Sequence, residues 1–532
     1  MRFDFSYIKS FIFIFGLLFA SQAIGQDFSN KGREFWVLFP PHQPNAGSLA
    51  NLSLYITSDK NTSGNIIING VASPFNIIAF QPQEFILDRA STYVSGAESA
   101  NSSNLNKIVL DKGIKILVDE GKPNIVVYGH FYANARSAAS IILPTSVLER
   151  RYQVISYNQS DVGNIQVGEY RKSQFSVVAV EDNTRIKIQL RKSGVLSGSS
   201  YEVDLPKAGT IYSFQDDLDI TGSSIESVSV NGSQCKKIAV FSGSTSTGIG
   251  TSNGVDPLFQ QCYPINSWGL NYFITPLKSK SKFIIRILAK ENNTKVSVNG
   301  VPTQLSAGEF QEFSYVNSEA FFVSADKGIC VAQYTYAQNG VGEPNNNRGD
   351  PDMVILNPVE QNINDVTVFQ TYKFAITQQY INVIIKDQGI PSFKINGSLP
   401  NSSFIKIPNS SYSYLQESFS VAGSFLSLRL TSDSGFNAFC YGFGNVESYM
   451  YSAGTNVKDL YQTLSVNNEY AIEKNPITCK GSPFKATITL PYKPLSLKWK
   501  VQNYNDFVEN GPKPIDSTLI NGKQIYKYIL DT

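Results

Sequence analysis

Asn293-Thr294-Lys295-Val296-Ser297-Val298-Asn299-Gly300 reads as a short strand running into a turn. Val296 and Val298 alternate with polar residues, the mark of one buried face. Asn-Gly supplies two residues that accept positive φ, as a two-residue type I′ hairpin requires. The same pattern recurs at Gly64 to Gly70 (GNIIING) and at Ser392 to Gly397 (SFKING). A fourth segment, Asn183 to Leu190 (NTRIKIQL), keeps the strand and loses the Asn-Gly. Some tens of residues after each comes a strand rich in small and aromatic residues: Ile125 to Gly129, Ile238 to Gly243, Ile329 to Tyr334 and Ala438 to Gly442. A period of roughly 100 residues is longer than any solenoid repeat. It implies four related all-β units in series, at about 51–150, 151–267, 268–361 and 362–460.

At about 150 residues per domain, the 532 residues fit three or four domains. The formal charge of +2 and the lack of a Lys/Arg run exclude a general electrostatic case for nucleic acid or acidic membranes. Short strands punctuated by Gly, Asn and Pro, with no convincing amphipathic helix, read as all-β. About seven strands per unit favour a β-sandwich, with one or more propeller blades per unit as the alternative. The tail from about 470 to 532 differs. Cys479 followed by Trp499 suits the start of a truncated immunoglobulin-like sandwich.

Residues 1–25 read as a secretory signal peptide. Arg2 and Lys9 supply positive charge, Phe11 to Ala20 is apolar, and Ala23-Ile24-Gly25 places small residues before a cleavage at Gln26. The apolar run falls short of the ~20 residues of a membrane span. A secreted or cell-surface protein, without a transmembrane span in the mature chain, is therefore expected. In an oxidising compartment Cys235 and Cys262 are expected to bridge, since they bracket one strand and one loop. Cys330 and Cys440, on equivalent strands of units three and four, are a second candidate pair.

Catalytic chemistry is sparse. His42 follows two prolines and His130 lies in a strand, and neither has a partner motif. No Cys/His cluster resembles a zinc site, and no cofactor is expected. Glu343, Asp350 and Asp352 lie in one long loop beside Asn345 to Asn347, where they could form a calcium or sugar site. Asp216, Asp217 and Asp219 make a second acidic loop. Solvated loop charge is the plainer account of both. Arg348-Gly349-Asp350 spells an integrin-type tripeptide of a kind that chance readily supplies.

Four segments together resemble the IgG Fc-binding protein N-terminal domain family, including its bacterial, Bacteroidetes-type relatives. They are Gly32 to Pro40 (GREFWVLFP), Ile238 to Gly243 (IAVFSG), Gln261 to Gly269 (QCYPINSWG) and Gly349 to Met353 (GDPDM). The similarity covers about residues 30–460. It implies an extracellular, non-enzymatic module, commonly followed by immunoglobulin- or PKD-like domains. Within these segments Trp36, Pro264, Trp268, Gly349, Asp350 and Pro351 are expected to be structural. The chain lacks the family protein's Cys-rich von Willebrand-type repeats, so no Fc-contacting residue is carried over.

These features favour a non-enzymatic binding or adhesion protein that presents loops to an unknown protein or glycan ligand. The alternatives are a carbohydrate-binding or glycoside-cleaving protein using the acidic loops, and a structural spacer for a C-terminal domain.

Overall fold

The structure is a computed structural model that describes residues 28–42, 49–95, 106–134, 136–157, 172–230, 235–250, 254–316, 318–338, 340, 348–373, 376–419, 425–460, 463–468, 484–499, 507–520 and 523–531. The expected signal peptide, Glu343, Asn345 to Asn347 and Cys479 lie outside these residues. Contacts divide the chain into a large body, Phe28–Leu460, and a second unit that includes Tyr461–Thr532. Both are built of antiparallel strands. Among the described residues the helical content is one four-residue turn at Arg89–Thr92 and a few 3-10 turns.

The large body contains four sets of strands. The first holds β1 (Glu34–Val37), β2 (Asn51–Thr57), β3 (Thr62–Ile68), β4 (Val71–Ile77), β5 (Gln83–Leu87), β6 (Asn106–Val109), β7 (Ile114–Val118), β8 (Val126–Ala133) and β9 (Arg136–Ile142). The second holds β10 (Arg151–Gln153), β11 (Ser173–Ala179), β12 (Thr184–Lys192), β13 (Val195–Leu205), β14 (Ile211–Asp216), β15 (Ser224–Val228), β16 (Ile238–Gly248) and β17 (Val255–Gln261). The third holds β18 (Asn271–Ile274), β19 (Lys282–Ala289), β20 (Thr294–Val298), β21 (Val301–Leu305), β22 (Phe310–Val316), β23 (Phe321–Ala325), β24 (Ile329–Thr335) and β25 (Met353–Ile355). The fourth holds β26 (Ile363–Thr371), β27 (Ile376–Lys386), β28 (Lys394–Ile395), β29 (Ile405–Lys406), β30 (Tyr412–Phe419), β31 (Phe425–Gly444) and β32 (Glu447–Ser452).

One topology repeats. An outer sheet β1-β7-β3-β4 recurs as β10-β15-β12-β13 and β18-β23-β20-β21. An inner sheet β5-β2-β8-β9 recurs as β14-β11-β16-β17 and β22-β19-β24-β25. In the fourth set β31 serves both sheets. Its first half pairs with β26 and β28, and its second half with β27 and β32. Each pair of sheets packs face to face as a sandwich. In the second set, for example, Phe175 and Val177 of the inner sheet share a core with Ile186 and Ile225 of the outer one.

The turn that ends the repeated strand is the same in all four sets. Asn69-Gly70, Asn299-Gly300 and Asn396-Gly397 each have two positive φ values, as does Ser193-Gly194 in the second set. That fourth turn was hidden because β12 carries a bulge between Ile188 and Leu190 and runs past the expected end. Serine stands there in the left-handed region that Asn and Gly enter more easily.

The four sandwiches form a ring. The last inner strands, β9, β17, β25 and β32, pack on one another as a hub. Around the hub, the outer sheet of each set meets the turn entering the edge strand of the next. Gly113 N–H donates to Gly209 O (3.2 Å), and Arg191 Nη2 donates to Ala307 O (2.8 Å). Phe273 packs on Tyr412 at 4.6 Å, and Ser427 Oγ donates to Phe80 O (2.9 Å), which returns to the first set. Approach is so close that a Cβ on Gly308 (φ +73°) would lie 2.6 Å from Arg191 Nε. The N-terminal segment seals the ring: Asn30 N–H donates to Thr455 O, and Val457 N–H to Phe28 O. Sandwiches are the units, as favoured above, and among the described residues no sheet closes into a barrel.

Three expectations need correction. Residues 106–109 fall within the expected first unit, about 51–150, but β6 pairs with β14 in the inner sheet of the second. The Cys235–Cys262 bridge is absent, because Cys262 N–H bonds to Val240 O, five residues past Cys235. At about 3.3 Å per extended residue that offset far exceeds disulfide reach. Cys235, Cys262, Cys330 and Cys440 are all free thiols. The Cys262 thiol donates to Ser242 Oγ (3.2 Å), and burial pushes its pKa up to about 11. The second expected pair is not bridged either: Cys330 lies on β24 opposite Leu288 of β19, and Cys440 on β31 opposite Ile381 of β27 and Tyr451 of β32.

The second unit carries a sheet of β33 (Thr463–Asn468), β34 (Phe484–Leu490), β38 (Lys523–Asp531) and β37 (Asp516–Ile520), in that order, and a hairpin of β35 (Ser496–Trp499) and β36 (Phe507–Asn510). Trp499 joins a small core with Ala486, Leu490, Tyr528 and Leu530.

Candidate functional site

The hub is where the four sets exchange the most specific contacts. Gln260 on β17 is buried at its centre. The two N–H groups of its side-chain amide are shared among one carbonyl on each of the other three hub strands: Ala139 O (2.9 Å), Met353 O (2.9 Å) and Met450 O (3.2 Å). Gln261 beside it accepts from Leu143 N–H through Oε1 (2.7 Å). One apolar residue in place of Gln260 would leave three buried carbonyls short of a donor.

Each hub strand follows its partner through a hairpin, so the connections gather at the strand starts. Here the structure brings together Arg136, Asp256, Asp350, Asp352 and Glu447. All five are buried, Asp350 to 2% exposure and Asp352 to 0%. Glu447 Oε1 accepts from Arg136 N–H (3.0 Å), and Asp256 Oδ1 from Ser137 N–H (3.2 Å). Asp352 Oδ1 accepts from Met353 N–H (2.7 Å). The carbonyl of Asp350 accepts from Thr335 Oγ1 (3.0 Å) and Ser448 Oγ (2.8 Å). Lys280 Nζ donates to Tyr336 O (2.6 Å) and Gly349 O (3.1 Å) beneath the same turn.

Burial dominates the electrostatics. It raises the Asp350 carboxyl to about 7, against the pull of Lys280 and Arg136. Asp256 rises well above the carboxylate range through burial and the nearby charges of Glu447 and Asp350. Asp352 rises for the same first reason, opposed by backbone N–H groups of Met353 and Met450. Burial, and for Asp256 like-charge repulsion as well, favours the neutral carboxyl.

Of the sequence-predicted loop site, Asp350 and Asp352 therefore come together with Asp256 and Glu447. No group of three or more acidic, histidine or cysteine side chains among the described residues is placed to hold a metal ion. Asp256, Glu447, Arg136 and Gln260 were missed. One signal existed: the chain has two Asp-Pro pairs, Asp256-Pro257 and Asp350-Pro351, and each opens a hub segment.

The integrin-type tripeptide leaves Arg348 exposed while the Asp350 side chain is buried. Gly349 has φ +92°, and a Cβ there would lie 2.5 Å from the Phe443 ring. Pro351 is buried beside it. Pro264 starts a 3-10 turn, Ile265–Ser267, like Pro144 and Pro358 after the other hub strands. Trp268 is 3% exposed and donates from Nε1 to Tyr263 O (3.2 Å). Trp36 donates to Glu34 (3.1 Å) and lines a groove of about 460 Å³ between the first two sets, with Gly70, Lys115 and Gly209.

Both histidines are core residues. His42 stacks on Phe131 at 4.3 Å and accepts from Arg89 through Nε2 (3.2 Å), so Nδ1–H donates to Pro40 O (3.1 Å). His130 Nε2 meets Ser137 Oγ at 3.0 Å. Burial lowers both to a pKa of about 3, so each is neutral at physiological pH. Among the described residues no helix is long and apolar enough to cross a membrane.

Comparison with known proteins adds family. The chain is 22% identical to the human IgGFc-binding protein over 322 residues, 58% of this chain and 6% of that protein. It thus spans a small part of that relative's length. Among solved structures, native E. coli alpha-2-macroglobulin aligns at 8% identity over 94% of this chain and 40% of the other, with a TM-score of 0.14, too low to bear on the fold. The family model described as IgGFc binding protein matches residues 138–442, from β9 to β31, more than half of the chain and every hub strand but the last. The chain belongs to the IgGFc-binding protein family.

Proposed function

We propose that this chain is an exported, non-enzymatic binding protein whose ring of sandwiches holds loops against a macromolecular ligand, protein or glycan. Membership of a binding-protein family is the observation that carries this. The ring supports it physically. Its centre is filled by Gln260 and the hub strands, so surface loops and edges are left to make contact. Loops on a rigid scaffold are where recognition residues concentrate. The glycoside-cleaving alternative needs two carboxyl groups open to a sugar. Asp350 and Asp352 are turned into the protein instead.

The test uses the chain from Gln26 onward, applied to immobilised IgG Fc, a glycan array and a polysaccharide panel. The expected result is saturable binding to one class of macromolecule with no cleavage. Polysaccharide turnover that Asp350→Asn abolishes would overturn the proposal.

A further inference from the structure

Each inner sheet has an outer edge strand, and the four edges are treated differently. On β14 the edge is occupied. β6, delivered from the first set, pairs antiparallel with it, with Val109 opposite Ile211, Ile108 opposite Tyr212, Lys107 opposite Ser213 and Asn106 opposite Phe214. On β30 the short β29 pairs over two residues. β5 is five residues long, follows Pro82, and has Glu84 tied to Lys373 at 3.0 Å. β22 is the exception. It runs seven residues, from Phe310 to Val316, and no described strand pairs with its outer side.

The open edge of β22 is ready for a strand. Ala289 N–H donates to Glu309 O (3.0 Å), which fixes the alternation of the ladder with β19. Gln311, Phe313 and Tyr315 then turn their amides toward β19, and Phe310, Glu312 and Ser314 turn theirs outward. Edges of this kind are ordinarily blocked by Pro, Lys or a bulge. β22 has none of these, and its pairing with β19 is continuous. Val316 is 69% exposed at its end.

We infer that the outer edge of β22 takes an extended segment of a protein partner as an added antiparallel strand, a basic residue followed by apolar ones. The occupant's chemistry comes from the chain itself. Gly209 N–H bonds to Ala179 O as Gly308 N–H bonds to Ala289 O, so Ile211 on β14 corresponds to Phe310 on β22. Ser213, which faces Lys107, then corresponds to Glu312. Glu312 is the sole charge on β22; one carboxylate oxygen accepts from Arg286 Nε (2.8 Å) while the side chain stays 36% exposed, so a lysine placed like Lys107 would share it. Backbone pairing supplies affinity in such strand addition, and facing side chains supply register. The probe is a short peptide rather than Fc or a glycan, so this test stands apart from the ligand screen above.

The experiment titrates the chain from Gln26 into a fluorescein-labelled peptide of residues 106–111 (NKIVLD) and follows anisotropy. Saturable binding is expected. Ser314→Pro removes an outward N–H without touching the ladder with β19, and it should weaken binding at least tenfold at an unchanged melting temperature. Glu312→Gln, which keeps an acceptor for Arg286 Nε and removes only the charge, should weaken it severalfold, and keeps the test valid if the proline variant folds poorly. A peptide N-methylated at the Ile108 position is the matching control, and should bind at least tenfold more weakly. Absence of binding at millimolar peptide would overturn the inference. So would binding unchanged by both variants, which would place the peptide on β14 in exchange for β6.

Discussion

The inner and outer sheets of this ring have the same strand chemistry and opposite surroundings. β20 in an outer sheet alternates buried and exposed residues, because one face meets the sandwich core and the other meets water. β24 in an inner sheet has no exposed residue, because one face meets its own core and the other meets the next set. On β19 the two faces separate cleanly. Phe283, Ile285 and Ile287 enter the sandwich core, while Arg286 enters the seam. There its guanidinium donates to Asp219 (2.7 Å), Ser156 O (2.8 Å) and Glu312 (2.8 Å), and stacks on Tyr157 at 4.2 Å. The difference teaches that a second buried face converts a β-sheet from a surface into a joint. Substitutions should therefore hurt most at seams and hub and least on outer hairpins.

The seam gives the largest expected loss. Arg286→Leu strands the Asp219 carboxylate, which is 4% exposed, without its partner. Truncating one member of such a buried pair costs about 3–5 kcal/mol. Chemical denaturation should show it, and a loss below 1 kcal/mol would mean that the seam is wet and the two-face contrast false.

The next effect has the opposite sign and sharpens the hub's electrostatics. Asp350 has its folded pKa raised to about 7, so its contribution is full below the unfolded value of 3.8 and is lost as pH rises to 7. Asp350→Asn should stabilise the protein above pH 7 by an amount on the order of 4 kcal/mol and change little at pH 4. The histidines run the other way. With folded values of about 3, His42 and His130 contribute fully above the unfolded 6.5 and progressively less as pH falls toward 3. A pH series of melting curves for both proteins separates the two branches, and an Asn variant with equal gain at pH 4 and 8 would refute a buried, titrating Asp350.

Trp268→Ala should destabilise by about 3 kcal/mol, since the ring is buried where one set hands over to the next. An unchanged melting temperature with ligand binding lost would instead make Trp268 a contact residue.

At the hub, Gln260→Leu keeps the bulk and removes the donor to three carbonyls. The expected loss is about 2 kcal/mol, near that of one or two orphaned buried acceptors. A neutral result would show that hub strands associate by packing alone.

The smallest effect belongs to the outer hairpin tip. Val301, 66% exposed beside the Asn299-Gly300 turn, should accept Lys within about 0.5 kcal/mol. A larger loss in the isolated chain would mean that the tips are covered.

How legible each region was follows from the same contrast. The outer hairpins announced themselves because water on one face enforces alternation, and because positive φ at two turn residues selects Asn-Gly. The inner strands, such as Ile238 to Gly243, could be recognised as strands but not divided into faces. Both faces select small or apolar residues, and the period of two disappears. Asp350 and Asp352 were picked out as acidic loop residues, but their burial was not. Whether a carboxylate points to water or into a hub depends on neighbours far away in the chain, here Arg136, Asp256 and Glu447.

By itself the sequence determined the all-β class, the repeat of about 100 residues and the turn chemistry, because these follow from local φ/ψ preference and short-range hydrophobic period. It also carried the family resemblance. Only the tertiary structure decided that the units are sandwiches closed in a ring, that β6 crosses to the next sheet, that Cys235 and Cys262 are too far apart in register to bridge, and that β22 keeps an open edge. Each of these is set by pairing between residues distant in sequence, and backbone hydrogen bonds hold any extended segment alike. Sequence fixes that a segment will be a strand. Which edge it joins depends on register, seam packing and what already occupies the site.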